Sequence, residues 1–492
     1  MENARVASLK ILNIYFSNKN TSLTLKKIIN DFFKKNNFSE QDKRLIYNIV
    51  KGTVKFLYLI DYTIKIFSNI KIEKINFEVL NLLRLSIYQL FFLKKIAHYA
   101  VLNEGVEITK KISGVHTAKF VNAVLRKISS IDNLYDYISQ HLNDNVKNNT
   151  LKLSILHSFP LWLIEYWNKN FSLNKIEKLC KSLNDETYNF IRVNRCKTSK
   201  EQLLNNTELK NVIDPIYLPE FSQIHTLIDE DKKNKNSFPK FILNLIKMKE
   251  KLLEDVLVLK STQGLKELCC FKNGYFSIND LSSQIAVKFF LNPGENEKIL
   301  DLCGAPGGKA TYIAELTNNK CEIVSVDISE KRLNLFKENI SRLQLNNITL
   351  VNSDISENNF LEKISFFKQK LNFNNYFDKI LIDPPCSAFG TISKNPDVKY
   401  NKSYEDVIRL SELSFKMLNN CIKYLKPKGK ILFYTCTISC IENQNVINNF
   451  LKLNKFNFKI AKLKQDEDDY FEIMPYYFKS EAGFIAILEK TL

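Results

Sequence analysis

The sequence predicts a multidomain chain: an all-α domain, then a small α/β domain, and last a doubly wound, mainly parallel α/β sheet. The length of 492 residues is more than one hydrophobic core supports, so two or three domains are expected. Apolar residues recur with helical spacing up to about residue 130, and proline is absent before Pro160. From about residue 275 onward, short apolar runs alternate with helical patterns, as in parallel sheets with helical crossovers.

The first two domains are separated by a change in composition. The all-α domain is assigned to residues 1–130, and its apolar stripe is clearest at 79–90. Asn and Asp accumulate between about 131 and 150, which favours a linker. The small α/β domain is assigned to 150–274, with an insertion of charged loop and helix near 229–255.

A short strand in the second domain carries two cations, Arg192 and Arg195. Such a strand suits a small α/β layer that binds RNA, and a solvent-facing edge strand explains the two arginines equally well. For Arg84 and Arg126 in the first domain, a structural ion pair is favoured over an RNA contact.

The third domain, 275–492, is organised around a buried strand, 299–302, that ends in a glycine-rich turn. The turn consists of Cys303, Gly304, Ala305, Pro306, Gly307, Gly308 and Lys309. Glycine lets a ligand approach the backbone, and the start of the following helix presents unpaired N–H groups. The turn is therefore a candidate loop for a nucleotide-like cofactor. An ordinary strand-turn-helix also explains the loop taken alone, and its spacing is not that of a phosphate-binding G-x-x-x-x-G-K-[ST] loop.

Three later strands end near an aspartate, and this pattern favours a cofactor site. Asp327 ends a strand about 20 residues after the turn, where nucleoside sites place a carboxylate against the ribose hydroxyls. Asp354 ends the next strand and is placed to meet an adenine edge, and Asp383 ends the fourth. Because ligands of open α/β sheets bind outside the carboxyl ends of the strands, these three acids are expected to converge on one crevice.

Two cysteines follow the fourth and fifth strands, Cys386 just after Asp383 and Cys436 directly after the strand 430–435. Neighbouring parallel strands would bring both thiols to the cofactor edge of the sheet. A thiolate is a strong nucleophile, and its activation needs a lowered pKa rather than a catalytic triad. All five histidines lie in the first half of the chain, so the third domain must work without a histidine of its own.

Charge and cysteine usage narrow the class of protein. Lys and Arg number 71 against 53 Asp and Glu, a net charge of +18, which suggests nucleic acid as a polyanionic partner. A lysine-rich composition bias explains this charge equally well. The ten cysteines form no C-x-x-C pair, so no metal site is expected. The N-terminus has no signal-peptide layout and no apolar run reaches about 18 residues, so a cytoplasmic protein without membrane contact is expected.

Residues 5–9, 82–90 and 120–126 resemble the NusB family of RNA-binding helical domains. In the third domain, 303–309, 383–387 and 435–436 resemble the cofactor, fourth-strand and nucleophile motifs of the S-adenosylmethionine-dependent RNA cytosine-C5 methyltransferases. Residues 386–400 resemble a longer signature of its bacterial small-subunit rRNA branch, the RsmB type. The resemblance covers nearly the whole chain apart from 229–255. It implies a NusB-like domain, a small α/β domain and a Rossmann-like methyltransferase domain, acting as a monomer.

The resemblance also implies an activity, the formation of 5-methylcytosine in 16S rRNA, with cytosine-967 as the family's site. Cys436 is implied as the nucleophile that attacks C6 of the cytosine, Cys386 as the group that helps to release the enzyme, and Asp383 as a contact to the cytosine edge or to the donor. The implied ligands of S-adenosyl-L-methionine are 303–309 at its methionine part, Asp327 at the ribose, Asp354 at the adenine, and Asp383.

Two alternatives stay open beside this activity: the same chemistry on tRNA, and a non-catalytic RNA-binding or assembly protein. The NusB-like domain favours rRNA over tRNA, and the intact cysteine pair argues against a non-catalytic platform.

The chain departs from the family pattern at Gly304, where an alanine is usual, and at Asn279, where a glutamine is common.

Overall fold

A computed structural model gives the structure of this chain for residues 3–18, 23–210, 212–213, 242, 245, 248–260, 264–362, 373–461 and 469–491. The chain divides into two compact units. The first contains Met1–Asp185 and Ile392–Tyr404, and the second contains Glu186–Thr391 and Glu405–Leu492. The three domain ranges predicted from the sequence stay a prediction. No helix among the described residues has the length and apolar character needed to span a bilayer.

The described part of the first unit is helical, as the apolar spacing predicts. Its helices are α1 (Ala4–Ser17), α2 (Leu25–Lys35), α3 (Glu40–Lys55), α4 (Leu57–Phe67), α5 (Phe77–Phe92), α6 (His98–Ser129), α7 (Leu134–Asn145), α8 (Asn149–His157), α9 (Leu161–Asn168) and α10 (Leu173–Asn184). Polar caps set several helix starts: the Asn76 side chain, for example, accepts from the backbone N–H groups of Glu78 and Val79 ahead of α5. The Arg84 guanidinium forms a two-bond ion pair with Asp61, each bond 2.7 Å long, so the predicted structural ion pair is confirmed.

The linker predicted between 131 and 150 is wrong for most of its length. Helix α7 occupies it, capped by the Asn133 side chain, and buries Leu134, Ile138 and Leu142 on one face. Four-residue spacing of these three apolar residues gives the helix a stripe that packs into the unit, in spite of the surrounding Asn and Asp. The prediction gave the Asn and Asp content of this stretch more weight than the helical spacing of its apolar residues.

The segment Ile392–Tyr404 belongs to the helical unit although it lies far along the chain. Lys399, in the short 3₁₀ turn Pro396–Lys399, is fully buried. Its Nζ donates to the carbonyl of Ser158 at 3.1 Å, to Asn184 Oδ1 at 2.7 Å and to the carbonyl of Lys55 at 3.1 Å. Asp397 Oδ2 accepts from the backbone N–H of Leu25 at 3.0 Å.

The second unit begins with a small antiparallel sheet in the order β2-β1-β3. Its strands are β1 (Asn189–Val193), β2 (Val256–Leu259) and β3 (Phe276–Ile278), and its helices are α11 (Lys200–Leu204), α12 (Lys249–Leu253) and α13 (Cys269–Lys272). The predicted edge strand is wrong, since β1 is the central strand and the Arg192 side chain is fully buried beside Glu315. RNA binding by this small layer stays a prediction. Residues 229–241 of the predicted insertion lie outside the described residues.

A larger sheet of eight strands follows, in the order β10-β11-β8-β7-β4-β5-β6, with β9 paired to β11. Its strands are β4 (Lys298–Leu302), β5 (Glu322–Asp327), β6 (Ile348–Asn352), β7 (Phe377–Ile382), β8 (Leu425–Thr435), β9 (Phe458–Ile460), β10 (Phe471–Ile473) and β11 (Gly483–Lys490). The associated helices are α14 (Leu281–Ile285), α15 (Gly308–Leu316), α16 (Glu330–Leu343), α17 (Tyr404–Cys421), α18 (Gln444–Leu453) and α19 (Pro475–Phe478), and a π-helical stretch covers Ala286–Leu291.

The sheet confirms the predicted fold class, but it has more strands than the sequence indicated. Strands β8, β7, β4, β5 and β6 are parallel, while β11, β10 and β9 pair antiparallel. The sequence indicated six or seven strands, and the short β9 and β10 escaped notice because three residues give no periodicity. The five parallel strands end at one edge of the sheet, which is where ligands bind in open α/β sheets.

Candidate active site

The glycine-rich turn follows β4 at the centre of the parallel strands. Gly307 caps α15 with φ of 98°, and a Cβ atom there would lie 2.1 Å from the ring of Phe336. Both the left-handed backbone and the close ring therefore demand glycine at this position. Arg192 holds the start of α15 from the other side, because its Nη1 donates to the carbonyl of Gly308 at 2.7 Å and it pairs with Glu315 at 2.8 Å.

Asp327 lies against this turn. Its buried carboxylate accepts from the backbone N–H of Ala305 at 3.2 Å and from that of Ser329 at 2.9 Å. Asp354 is engaged locally, since its Oδ1 accepts from the N–H of Ser356 at 2.8 Å. Within the described residues the structure gives no hydrogen bond between Asp354 and the turn. The predicted cofactor acids thus differ: Asp327 is joined to the turn, and Asp354 caps its own loop.

Lys309 and Asp383 form an ion pair that joins the turn to the end of β7. Lys309 Nζ lies 2.5 Å from Asp383 Oδ2 and 4.4 Å from the centre of the Tyr434 ring. Burial by itself lowers the pKa of Lys309, but attraction by Asp383 outweighs it, so the pKa is raised and the ammonium stays charged. The site therefore contains a fixed positive charge beside a carboxylate.

The two predicted cysteines meet, as the order of β7 and β8 requires. Cys386 Sγ and Cys436 Sγ lie 3.5 Å apart. The hydrogen bond that the Cys436 thiol donates to Cys386, followed by burial, raises the pKa of Cys436 well above its ordinary value, and Asp383 adds to the effect. Cys436 is therefore a neutral thiol at pH 7 in the free protein. Its activation depends on a change that a bound substrate brings.

A buried polar network connects the two cysteine loops. Ser387, next to Cys386, donates from its backbone N–H to Glu442 Oε1 at 2.6 Å and from its hydroxyl to Glu442 Oε2 at 2.5 Å. Thr437, next to Cys436, places its hydroxyl 2.6 Å from that of Ser387. The N–H of Gly390 also donates to the carbonyl of Cys436 at 3.0 Å. These bonds fix the two loops to each other.

Two buried polar atoms beside the turn fit the methionine end of S-adenosylmethionine, which carries an ammonium and a carboxylate. Asp301 Oδ1 and Asn279 Nδ2 have no hydrogen-bond partner among the described residues. One is an acceptor and the other a donor, which matches the two charged groups of the amino acid. Burial raises the pKa of Asp301 to about 6, although a hydrogen bond from Ser325 opposes the shift.

Gly304, at the start of the turn, explains one departure from the family pattern. A Cβ atom at this position would lie 1.9 Å from Asp301 Oδ2 and 2.1 Å from Ser325 Oγ. The hydrogen bond between Ser325 and Asp301, 2.7 Å long, therefore occupies the space where an alanine methyl group would stand. The hydrogen bond between Asp301 and Ser325 therefore requires glycine at 304.

Sequence reasoning missed several residues of this site. Glu442 and Thr437 lie in a stretch without regular secondary structure, and no spacing marks them as partners of Ser387. Arg192 carried a usable signal, since a charged residue within the apolar strand β1 requires a buried partner. Among the described residues, no group of three or more His, Cys, Asp or Glu side chains could hold a metal ion.

Comparison with solved structures defines the fold class. The crystal structure of PH0851 has a TM-score of 0.70 and 21% identity, covering 100% of this chain and 99% of that chain. The crystal structure of NSun6 from Pyrococcus horikoshii with SFG has a TM-score of 0.51 and 24% identity, covering 68% of this chain and all of that one. The eight-stranded sheet and the turn after β4 are thus those of a Rossmann-like methyltransferase fold.

Sequence comparison identifies the family within that class. Residues 288–489 match the family described as 16S rRNA methyltransferase RsmB/F, 2–130 match the NusB family, and 159–212 match the ferredoxin-like domain of RsmF/B-like methyltransferases. "Probable ribosomal RNA small subunit methyltransferase B" of Bacillus subtilis (strain 168) is 30% identical over 463 residues, covering 92% of this chain and 91% of the relative. "Ribosomal RNA small subunit methyltransferase B" of Proteus mirabilis (strain HI4320) is 27% identical over 453 residues, with 92% and 91% covered. The chain belongs to the RsmB/F methyltransferase family, and the resemblance seen in the sequence is confirmed.

Proposed function

We propose that this chain transfers a methyl group from S-adenosyl-L-methionine to C5 of a cytosine in 16S rRNA, at the family's cytosine-967, through a covalent bond between Cys436 and C6. One observation carries the proposal: two thiols 3.5 Å apart lie beside the Lys309–Asp383 ion pair at the carboxyl edge of a methyltransferase sheet. The rRNA substrate rests on the names of the relatives, and the NusB match supports it.

The cofactor residues proposed from the sequence fall into two groups. The turn 303–309, Asp327 and Asp383 lie at the start of α15. There Asp301 offers an acceptor and Asn279 a donor that have no partner in the described part of the chain. Asp354 remains the proposed contact to the adenine, which requires its carboxylate to accept from a ligand as well as from Ser356. S-adenosylmethionine supplies an electrophilic methyl group on a sulfonium. A neighbouring relative of this fold was solved with SFG, an S-adenosylmethionine analogue.

The chemistry begins at Cys436. Its thiol gives up a proton to water once substrate is bound, and the sulfur adds to C6 of a cytosine that is single-stranded or flipped into the site. The electrons of the C5–C6 double bond then make C5 nucleophilic. The fixed charge of Lys309 lies near this thiol and favours negative charge as it develops. Asp383, held by Lys309, contacts the cytosine edge or faces the donor.

The second half of the reaction uses the other thiol. After C5 has taken the methyl group, the C5 proton passes to Cys386 or to a water. The electron pair of that C–H bond forms the C5–C6 double bond as the bond between C6 and Cys436 breaks, and the cysteine leaves as a thiolate. The 3.5 Å separation of the sulfurs lets Cys386 supply a proton to that leaving group.

The test uses Cys386→Ala protein, S-adenosylmethionine and total RNA. A covalent protein–RNA adduct that survives denaturation, contains a 16S rRNA fragment and disappears in Cys386→Ala/Cys436→Ala protein is the expected result. Trapped tRNA would move the substrate to tRNA with the same chemistry. Undiminished methyl transfer by Cys436→Ala would overturn the covalent mechanism. Absence of methyl transfer by the wild-type protein on all RNA would favour a non-catalytic RNA-binding or assembly protein.

A further inference from the structure

We propose that Glu442 is a positioning residue: through Ser387 and Thr437 its carboxylate sets the separation of the Cys386 and Cys436 sulfurs. The consequence for catalysis rests on the proposed function, in which both thiols act on one cytosine. The geometric claim, that Glu442 holds the two sulfurs together, stands without any RNA.

The first half of the argument concerns the Cys386 loop. Glu442 accepts two short hydrogen bonds from one residue, from the N–H of Ser387 at 2.6 Å and from its hydroxyl at 2.5 Å. Two bonds to one carboxylate define both the position and the orientation of Ser387, and hydrogen bonds to an ionised group are strong. Because Cys386 precedes Ser387 directly, its Cα cannot shift without breaking this pair.

The second half concerns the Cys436 loop. The hydroxyl of Ser387 gives its only proton to Glu442, so the 2.6 Å contact between Ser387 and Thr437 must have Thr437 as its donor. The direction of the chain is thus Thr437 to Ser387 to Glu442. Thr437 follows Cys436 directly, and the same carboxylate therefore orients both cysteine-bearing loops.

The network is closed off from water. Ser387 is 0% exposed, Glu442 1% and Thr437 2%. The adjacent Asn443 braces the loop further, since its Nδ2 donates to the carbonyl of Thr437 at 3.1 Å and its Oδ1 accepts from the Thr435 hydroxyl at 2.6 Å. A buried network of this kind is rigid when every member is satisfied and fails when one member is wrong.

The chemistry of the network requires a carboxylate at 442. Both donors of Ser387 point at Glu442 oxygens. A glutamine could accept from the Ser387 N–H only with its NH₂ facing the Ser387 hydroxyl oxygen, so the Ser387 proton would have to turn to Thr437 and the Thr437 proton would lose its acceptor. The two loops would then be held together less firmly while the side-chain volume stays unchanged. Glu442→Gln is for this reason the most informative substitution.

The first measurement is the rate of methyl transfer. Displacement of reacting groups by about 1 Å costs on the order of 100-fold in rate, so Glu442→Gln should lose about that factor in kcat. The KM values for RNA and S-adenosylmethionine should change no more than about twofold, because Glu442 is only 1% exposed. Ser387→Ala should behave in the same direction. Ser414→Ala is the matched control, since its buried hydroxyl donates only locally, to the carbonyl of Leu410 in α17, and kcat should be unchanged.

The second measurement reports the thiols directly. Phenylarsine oxide condenses with two nearby thiols, forming two As–S bonds and releasing one water, and needs the sulfurs close together. The wild-type protein should bind one arsenical more tightly than Cys386→Ser does, and Glu442→Gln should lose that extra affinity. Ser414→Ala should keep it.

The outcomes separate the two claims. Wild-type kcat and wild-type arsenical binding in Glu442→Gln would overturn the positioning role. If Glu442→Gln fails to fold, Ser387→Ala and Thr437→Val carry the same test, and unchanged arsenical binding in both would overturn it as well. If the wild-type protein transfers no methyl group, the proposed function fails, while arsenical binding still decides whether Glu442 positions the thiols.

Discussion

The reactivity of Cys436 is controlled by its neighbour. The Cys386 thiol, 3.5 Å away, stabilises the protonated form of Cys436 by a hydrogen bond, and burial acts in the same direction. In the free protein this keeps the nucleophile protonated and unreactive towards electrophiles in solution. A cytosine that enters between the sulfurs would break this hydrogen bond, which couples activation of the thiol to substrate binding.

This leads to a prediction on alkylation. Cys386→Ala removes the hydrogen bond that raises the pKa of Cys436, so the thiolate fraction at pH 7 increases. Iodoacetamide should then modify Cys436 several-fold faster than in the wild-type protein, as measured by mass spectrometry of the peptide that contains it. The control is Cys321→Ala, which removes a buried thiol bonded to Thr317. A Cys436 rate in Cys386→Ala equal to or below the wild-type rate would contradict the hydrogen bond as the main cause.

Asp301 makes stability depend on pH. Its carboxyl group is buried beneath the turn, and its pKa rises to about 6 from an unfolded value of about 3.9. A raised folded pKa means that the folded state binds the proton more tightly, so the stabilisation is complete below about pH 4 and is lost as the pH rises through about 6.

We therefore expect Asp301→Asn to remove a pH dependence. Between pH 4 and 7 the wild-type protein should lose on the order of 3 kcal/mol relative to Asp301→Asn, measured as the difference between their free energies of unfolding in urea. Asparagine keeps an acceptor for Ser325 and cannot ionise. The difference between the two free energies of unfolding therefore cancels the contributions of all other carboxylates. Parallel pH profiles for the two proteins would contradict the prediction, because they would mean that folding does not raise the pKa of Asp301.

At the scale of elements, the residues of the site follow the carboxyl ends of parallel strands, and side-chain contacts fix the start of α15 beside them. Apolar runs of β-branched residues made β4, β5, β7 and β8 predictable, and the rules for parallel sheets placed their carboxyl ends at one edge. The bond between Arg192 and Glu315 was not predictable, because it joins β1 of the small sheet to α15, 123 residues apart. The return of Glu442 onto Ser387 across 55 residues was equally invisible, since loops carry no periodicity.

The turn after β4 offers a prediction about Gly304. Gly304→Ala forces a methyl group into the space of the bond between Asp301 and Ser325, and overpacking of this kind costs about 1–3 kcal/mol in the free energy of unfolding. Gly308→Ala is the matched control, because the nearest atom to its new methyl group would be Asn279 Oδ1 at 3.7 Å.

A double-mutant cycle checks the cause. Ser325→Ala removes one of the two crowding atoms, so it should recover part of the loss in a Gly304→Ala background. Strictly additive losses would show that the alanine is rejected for a reason other than this hydrogen bond. Recovery in the double variant would mean that the alanine usual in the family at this position requires a different residue at 325 or a different position of Asp301.

At the scale of the whole molecule, the helical unit is completed by a segment from the second half of the chain. Ile392–Tyr404 lies 207 residues beyond Asp185, yet it belongs to the same compact unit. Residues 392–400 of this segment belong to the stretch 386–400, whose likeness to the RsmB type was seen in the sequence. That signature therefore begins with Cys386 in the second unit and ends in contacts with the helices of the first.

The last prediction concerns Lys399, the anchor of that segment. Lys399→Met keeps most of the side-chain volume but removes the Lys399 donor from the carbonyl of Lys55 and the amide oxygen of Asn184. The carbonyl of Ser158 keeps the Tyr400 hydroxyl as a donor. An unpaired buried acceptor costs about 1–3 kcal/mol, so the variant should unfold its helices at lower temperature. Hydrogen exchange should accelerate first at α3 and α8, whose ends contact Lys399, while the parallel strands of the large sheet keep their protection. Lys402→Met, three residues on in the same segment, should behave as the wild-type protein does. Equal melting of both variants, with unchanged exchange at α8, would mean that the helical unit holds together without this lysine.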